Sequence, residues 1–133
     1  MKTHISLLIL SFFSITVLKA QEKSKDTIFF KLDNRYVYES EVSPNHYFLK
    51  DHNNDEAFFF KGIEIVNNVK PKEILSLKKF VRSSEFYDKN KKQKLNIYEL
   101  INFFSDYYVV FLVKKSNNKT ECIYVAPGSV VYN

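Results

Sequence analysis

The sequence predicts an α+β domain with a mainly antiparallel sheet, and three observations along the chain support this fold class. Residues 27–66 are rich in aromatic and β-branched residues and are divided by turn signals. Residues 71–83 and 96–106 carry apolar residues at helical spacing. Residues 107–126 return to strand-like composition. A β-meander, two helices and a β-hairpin therefore follow one another, and we expect five to seven strands with both helices packed on one face of the sheet.

The first of these regions predicts four antiparallel strands. The runs "TIFFKL" and "RYVYESEV" are separated by Asp33 and Asn34, a pair that tolerates the positive φ of a tight hairpin turn. "SPN" then breaks the chain before "HYFLKD", and the polar "HNND" leads into "EAFFFKGIEIV". The expected arrangement is a four-stranded meander.

Two helices are expected next, each with a recognisable start. Pro71 suits the first turn of the first helix, which extends to residue 83. Asn96 is placed as the N-cap of the second helix, and Glu99 as its reciprocal capping partner three residues later. A lysine-rich connection joins the two.

The last region predicts a hairpin. "YYVVFLVKK" is apolar on both alternating faces, which is typical of a central strand covered on both sides. "TECIYVA" is expected to pair with it through a tight turn at Asn117 and Asn118, with a short last strand at "SVVY".

Residues 1–20 have the pattern of a secretory signal peptide. Lys2 supplies a positive start, an apolar stretch follows, and Ala20 offers a small residue before a polar sequence. A retained membrane anchor is the competing interpretation, but the apolar run of about 14 residues is shorter than the roughly 20 that span a bilayer. We expect cleavage after Ala20, no transmembrane helix thereafter, and a single exported domain over 21–133, periplasmic or extracellular.

Charge is unevenly distributed along the chain. The net formal charge is +5, and it falls to +3 when Lys2 and Lys19 leave with the signal. Such a small excess makes nucleic acid an unexpected partner. Residues 70–94, however, hold nine basic and three acidic residues, a local net charge of +6.

Residues 88–99 resemble the calcium-binding loop of the EF-hand family, with Asp88, Asn90, Leu95, Asn96 and Glu99 at ligand or matching positions. The resemblance implies a calcium site. Lys92 stands at the fifth position, where an oxygen ligand belongs, and a glutamine replaces the glycine of the sharp turn. Lysines in the loop also repel a cation. We therefore expect a basic connection followed by a capped helix, with no metal and no cofactor.

Other chemistry-bearing residues are few. His46 and His52, with Asp51 or Asp55, could form a metal site, but two histidines near a turn are common on surfaces. Cys122 is the single cysteine, and its apolar strand setting predicts a buried structural thiol. With only two glycines, the chain cannot form a glycine-rich phosphate loop.

These observations favour a non-enzymatic binding or accessory domain. The partner would be a protein, an acidic glycan or an anionic membrane surface. One alternative is a small hydrolase or transferase using His46 or Cys122, and another is a structural component of an envelope assembly. The plain interpretation of the basic segment is a solvated surface that keeps the protein soluble. The predicted contact residues are those of the first helix and the connection that follows it: Lys78, Lys79, Arg82, Lys89, Lys91, Lys92 and Lys94.

Overall fold

The computed structural model describes residues 25–52, 55–90 and 94–131. The predicted signal peptide, residues 1–20, lies outside the described residues. The strands are β1 (Asp26–Lys31), β2 (Val37–Glu39), β3 (His46–Leu49), β4 (Glu56–Val66), β5 (Tyr87–Asp88), β6 (Lys94–Leu95), β7 (Tyr108–Ser116) and β8 (Lys119–Val131). The helices are α1 (Leu77–Ser83) and α2 (Ile97–Tyr107).

Six of the described strands form one mixed sheet in the order β1-β7-β8-β4-β3-β2. β1 runs parallel to β7, and the other neighbours are antiparallel. β5 and β6 form a separate antiparallel pair. The predicted α+β class is confirmed.

The predicted pairing of the first two strands is wrong, because β1 lies beside β7 and β2 lies at the opposite edge of the sheet. A turn does form where the sequence indicated one. The carbonyl of Asp33 accepts hydrogen bonds from the N–H groups of Tyr36 and Val37, and its carboxylate accepts one from Arg35 N–H. This local turn redirects the chain without pairing the flanking strands, so the meander contains β2, β3 and β4 only.

The hairpin between β7 and β8 is confirmed. Asn117 and Asn118 form its turn with φ values of 43° and 67°, the left-handed conformations that asparagine tolerates. β8 continues without a break to Val131, so the described part of "SVVY" belongs to β8 and is not a separate strand.

α1 is shorter than predicted, because it begins at Leu77 and not at Pro71. Ser76 caps it, with its Oγ accepting a hydrogen bond from Lys79 N–H at 3.3 Å. The chain before the helix is extended, and Leu75 pairs with β1 through an isolated parallel bridge to Phe30.

The N-cap of α2 is confirmed at Asn96, whose Oδ1 accepts a hydrogen bond from Glu99 N–H at 3.3 Å. The predicted reciprocal bond from Glu99 is wrong. Asn96 N–H instead donates to the carbonyl of Phe86 at 2.7 Å, which ties the start of α2 to the residue before β5.

Both helices pack on one face of the sheet, as predicted. Phe30 on β1 is fully buried there, and its ring centroid lies 5.2 Å from that of Phe80 on α1 and 5.9 Å from that of Phe104 on α2. The opposite face carries a smaller cluster around Phe111, against which Val69 packs from the segment that follows β4. Edge-to-face aromatic contacts therefore fix the position of α1 and its lysines relative to the sheet.

Candidate functional site

Three exposed lysines form the part of the predicted contact surface that the structure describes in full. Lys78 and Lys79 lie on α1, and Lys89 follows β5. We call these three residues the basic surface. Within the described residues, none of the three ammonium groups takes part in an ion pair.

The other predicted lysines cannot be placed as fully. Lys91 and Lys92 lie outside the described residues, and for Lys94 only the backbone, in β6, is described.

Arg82, predicted as a contact residue with these lysines, has a different environment. Its Nε donates to Asp51 Oδ2 at 3.0 Å and its Nη2 donates to Asp51 Oδ1 at 3.1 Å. This bidentate geometry is the strongest form of the arginine–carboxylate contact. The charge of Arg82 is therefore compensated inside the molecule by a direct ion pair, whereas Lys78 interacts with Asp51 only at longer range.

Two tyrosines complete the arrangement, which we call the Asp51 cluster: Asp51, Arg82, Tyr36 and Tyr87. The Tyr36 hydroxyl donates to Asp51 Oδ2 at 2.9 Å. The guanidinium carbon of Arg82 lies 5.8 Å from the ring centroid of Tyr36 and 5.9 Å from that of Tyr87, within the range of cation–π attraction. The cluster thereby joins α1 to Tyr36, which precedes β2, and to Asp51, which follows β3.

Asp51 and Arg82 form an ion pair within the Asp51 cluster, and their pKa directions agree with that geometry. Burial acts to raise the pKa of Asp51, but the hydrogen bonds from Arg82 and Tyr36 outweigh it and hold that pKa below its usual value. Burial, reinforced by the charge of Asp51, raises the pKa of Tyr36. The hydrogen bond to Asp51 raises the pKa of Arg82. These pKa directions keep Asp51 and Arg82 charged and Tyr36 neutral near neutral pH, which suits a structural ion pair and not acid–base catalysis.

Cys122 is a buried structural thiol, as predicted. Its residue is 2 % exposed, and its Sγ donates to the carbonyl oxygen of Val69 at 3.7 Å. Burial raises the pKa of the thiol. A protonated, covered thiol is the reverse of what a nucleophilic cysteine requires.

His46 is not brought to Cys122. It lies on β3, with its ring centroid 4.9 Å from that of Phe59 and its Nδ1 3.0 Å from the carbonyl oxygen of Pro44. β4 separates β3 from β8, which carries Cys122, so strand spacing alone keeps the two residues at least about 10 Å apart. The register adds a further offset, because the position on β8 in line with His46 is Ala126.

The candidate metal positions do not converge either. His52 is exposed, and Asp88 Oδ1 accepts a hydrogen bond from Asn90 N–H at 2.8 Å in a local turn. Among the residues that the structure describes, no group of three His, Cys, Asp or Glu side chains surrounds a possible metal position.

A cavity of about 490 Å³ lies between β1 and the segment that follows β4. Phe29 and Val69 supply apolar wall, and Lys70, Lys72 and Glu73 supply its charged groups. Sequence patterns gave no indication of this cavity, because its two walls are about 40 residues apart in the chain.

The Asp51 cluster was also missed. Asp51 was considered only as a possible metal ligand, and its partner Arg82 only as a surface cation. Their separation of 31 residues leaves no local signal for the pair.

Comparisons with protein-family models, with curated proteins and with solved structures found no match to this chain. Within the described ranges, no helix combines the length and the apolar composition that crossing a membrane requires. The site residues and their contacts are therefore the basis of the functional proposal.

Proposed function

We propose that the protein is a non-enzymatic binding domain, exported to the periplasm or the cell exterior, that contacts an anionic partner through its basic surface. The observation that supports the proposal is the exposure of Lys78, Lys79 and Lys89 without ion-pair partners among the described residues. The partner presents phosphate, sulfate or carboxylate groups, on a protein, a glycan or a membrane.

The Asp51 cluster supports this proposal by fixing α1. Arg82 lies on the same helix as Lys78 and Lys79, and its bond to Asp51 holds the helix in one orientation. Lysines on a fixed helix lose less conformational freedom on binding than lysines on a flexible tail. The helix thus presents its charges ready for contact.

The expected strength is modest and salt-dependent. A lysine close to an anionic surface contributes about 1 kcal/mol, so the three described lysines together supply about 3 kcal/mol. Screening shortens the range of this attraction to about 8 Å at physiological ionic strength. We expect affinity to fall steeply as salt is added.

Matched triple variants test the proposal. Both replace three exposed lysines by serine and change the net charge equally, so only the position of the lost charge differs. The test variant is Lys78→Ser/Lys79→Ser/Lys89→Ser, and the control is Lys61→Ser/Lys115→Ser/Lys119→Ser.

Binding is measured by sedimentation with vesicles that contain anionic lipid, by retention on immobilised heparin, and by crosslinked pulldown from the cell envelope. We expect the test variant to bind at least tenfold more weakly in one of these assays while the control stays close to wild type. Equal losses for the two variants would show a general charge effect and would overturn the assignment of the surface.

A further inference from the structure

The outer edge of β1 has main-chain groups that face away from the sheet. Leu32 N–H donates to Val113 carbonyl oxygen at 2.9 Å, which shows that the even-numbered residues of this strand point their peptide groups toward β7. In a strand, the N–H and C=O of one residue point the same way and alternate along the chain. Thr27, Phe29 and Lys31 therefore point theirs outward.

Leu75 occupies only part of this edge. Its N–H donates to the carbonyl of Phe29 at 2.8 Å, and its carbonyl accepts from Lys31 N–H at 2.9 Å. Within the described residues the C=O of Lys31 has no hydrogen-bond partner beyond Leu75, and three outward groups have none before it: the N–H and C=O of Thr27 and the N–H of Phe29. Thr27 is exposed, so these groups are open to another chain.

The 490 Å³ cavity lies along the same stretch of edge. Thr27 and Phe29 form one wall, and Lys70 and Lys72 lie on the opposite wall with Glu73. Neither lysine takes part in an ion pair among the described residues. The open edge therefore adjoins a partly apolar cavity whose two lysines and one glutamate give a net charge of +1.

We propose that the outer edge of β1 binds a short extended acidic peptide, which pairs with the backbone of Thr27 and Phe29 and places its carboxylates near Lys70 and Lys72. This inference goes beyond the proposed function, because it concerns a different surface and a defined binding mode.

Each part of the edge selects for this ligand. Main-chain donors and acceptors that alternate along a strand are matched by another extended backbone, as in β-strand addition. Alternate side chains of that ligand point into the cavity, whose lysines favour acidic residues over basic ones. Leu75 closes the edge after Phe29, so the paired stretch is only two or three residues long.

A proline substitution tests the main-chain pairing at the edge of β1 separately from its charges. Thr27→Pro removes one outward N–H and places a ring in the path of the incoming strand, while the bonds to β7 come from the neighbouring residues. Thr27→Ser is the matched control, since it keeps the N–H. Lys70→Ser/Lys72→Ser tests the charge, with Lys115→Ser/Lys119→Ser as the equal-charge control at exposed positions outside both proposed surfaces.

The probes are fluorescein-labelled hexapeptides used in anisotropy titrations with the full protein. One alternates glutamate and valine, one carries N-methyl groups on alternate residues of the same sequence, and one alternates lysine and valine. We expect the glutamate–valine peptide to bind with a Kd below about 1 mM. N-methylation and Thr27→Pro should each weaken binding at least tenfold, and Lys70→Ser/Lys72→Ser at least fivefold.

Several results would overturn the proposal. These are no binding of the glutamate–valine peptide to wild type, equal binding of the N-methylated peptide, and a loss in Lys115→Ser/Lys119→Ser as large as that in Lys70→Ser/Lys72→Ser. Concentration-dependent dimerisation that Thr27→Pro abolishes would assign the edge to a second copy of the chain. Because N-methylation alters only the peptide, the backbone test remains decisive even if Thr27→Pro does not fold.

Discussion

We expect Arg82→Met to lower the free energy of unfolding by about 2 kcal/mol at pH 7. Methionine keeps an unbranched stem that packs beside Tyr36 and Tyr87 but lacks the guanidinium group. Asp51 then retains the hydroxyl of Tyr36 at 2.9 Å and loses both bonds from Arg82. The largely buried carboxylate of Asp51 is then left with one hydrogen-bond donor in place of three.

The expected loss of unfolding free energy follows from the solvent exposure of the ion pair between Asp51 and Arg82. Breaking a fully buried ion pair costs about 3–5 kcal/mol, because the remaining charge is not compensated. An exposed pair contributes only about 0–1 kcal/mol. The Asp51 side chain is 10 % exposed and that of Arg82 is 37 % exposed, so the pair lies between these limits.

The destabilisation caused by Arg82→Met should decrease at low pH. The pKa of Asp51 is held below its usual value in the folded protein. The resulting stabilisation is complete above the unfolded-state pKa of about 3.9 and is lost as the pH falls through the lower folded-state pKa. The difference between wild type and Arg82→Met should therefore be full at pH 7 and shrink below about pH 4.

Urea unfolding followed by far-ultraviolet circular dichroism measures this difference, since the chain contains no tryptophan for fluorescence. Lys79→Met is the matched control, an exposed cation on the same helix, and should change stability by less than about 0.5 kcal/mol. An Arg82→Met effect no larger than that of the control, or one that persists undiminished at pH 2, would refute the assignment of Asp51 and Arg82 as a stabilising pair.

Two further predictions concern the thiol and the hairpin turn. Cys122 should not react with a soluble thiol reagent in the native protein and should react fully in urea, and rapid native labelling would contradict its burial. Asn118→Ala should lower the free energy of unfolding by about 1–2 kcal/mol, because its φ of 67° costs alanine about that much. Asn118→Gly should remain near wild type in the same urea assay, and equal losses in both variants would show that the asparagine side chain matters more than its φ.

Features that depend on neighbouring residues were predictable from the sequence. The turn at Asn117 and Asn118 needs only two residues that tolerate positive φ. The cap at Asn96 needs only an oxygen within reach of an N–H three residues later. Such signals locate turns and helix starts, but they do not say which strands become neighbours.

Features that join distant residues were not predictable. Nothing near Asp33 indicates that β1 will pair with β7, because a parallel pair leaves no turn signal between its strands. Ile74 and Leu75 fit a helical period, yet they lie in extended chain and pack in different clusters, on opposite faces of the sheet. The helical spacing of these few residues therefore predicted a start of α1 that is earlier than the one observed.

The candidate site likewise has one part that was predictable from the sequence and one part that was not. The exposure of Lys78, Lys79 and Lys89 follows from their charge alone. The separate environment of Arg82 depends on Asp51, which is adjacent only after the sheet and helix have packed.

The parallel pairing of β1 with β7 also sets an order of assembly. β1 precedes every other described strand when the chain is synthesised, but its neighbour in the sheet lies about 80 residues later. At roughly 5–20 residues per second, this interval lasts about 4–16 seconds. Phe30 has no completed core to enter during that time, since the strand that holds β1 in the sheet does not yet exist. The earliest described strand to be synthesised is thus among the last to be paired, and until then its apolar residues lack their partners in the core and are open to aggregation.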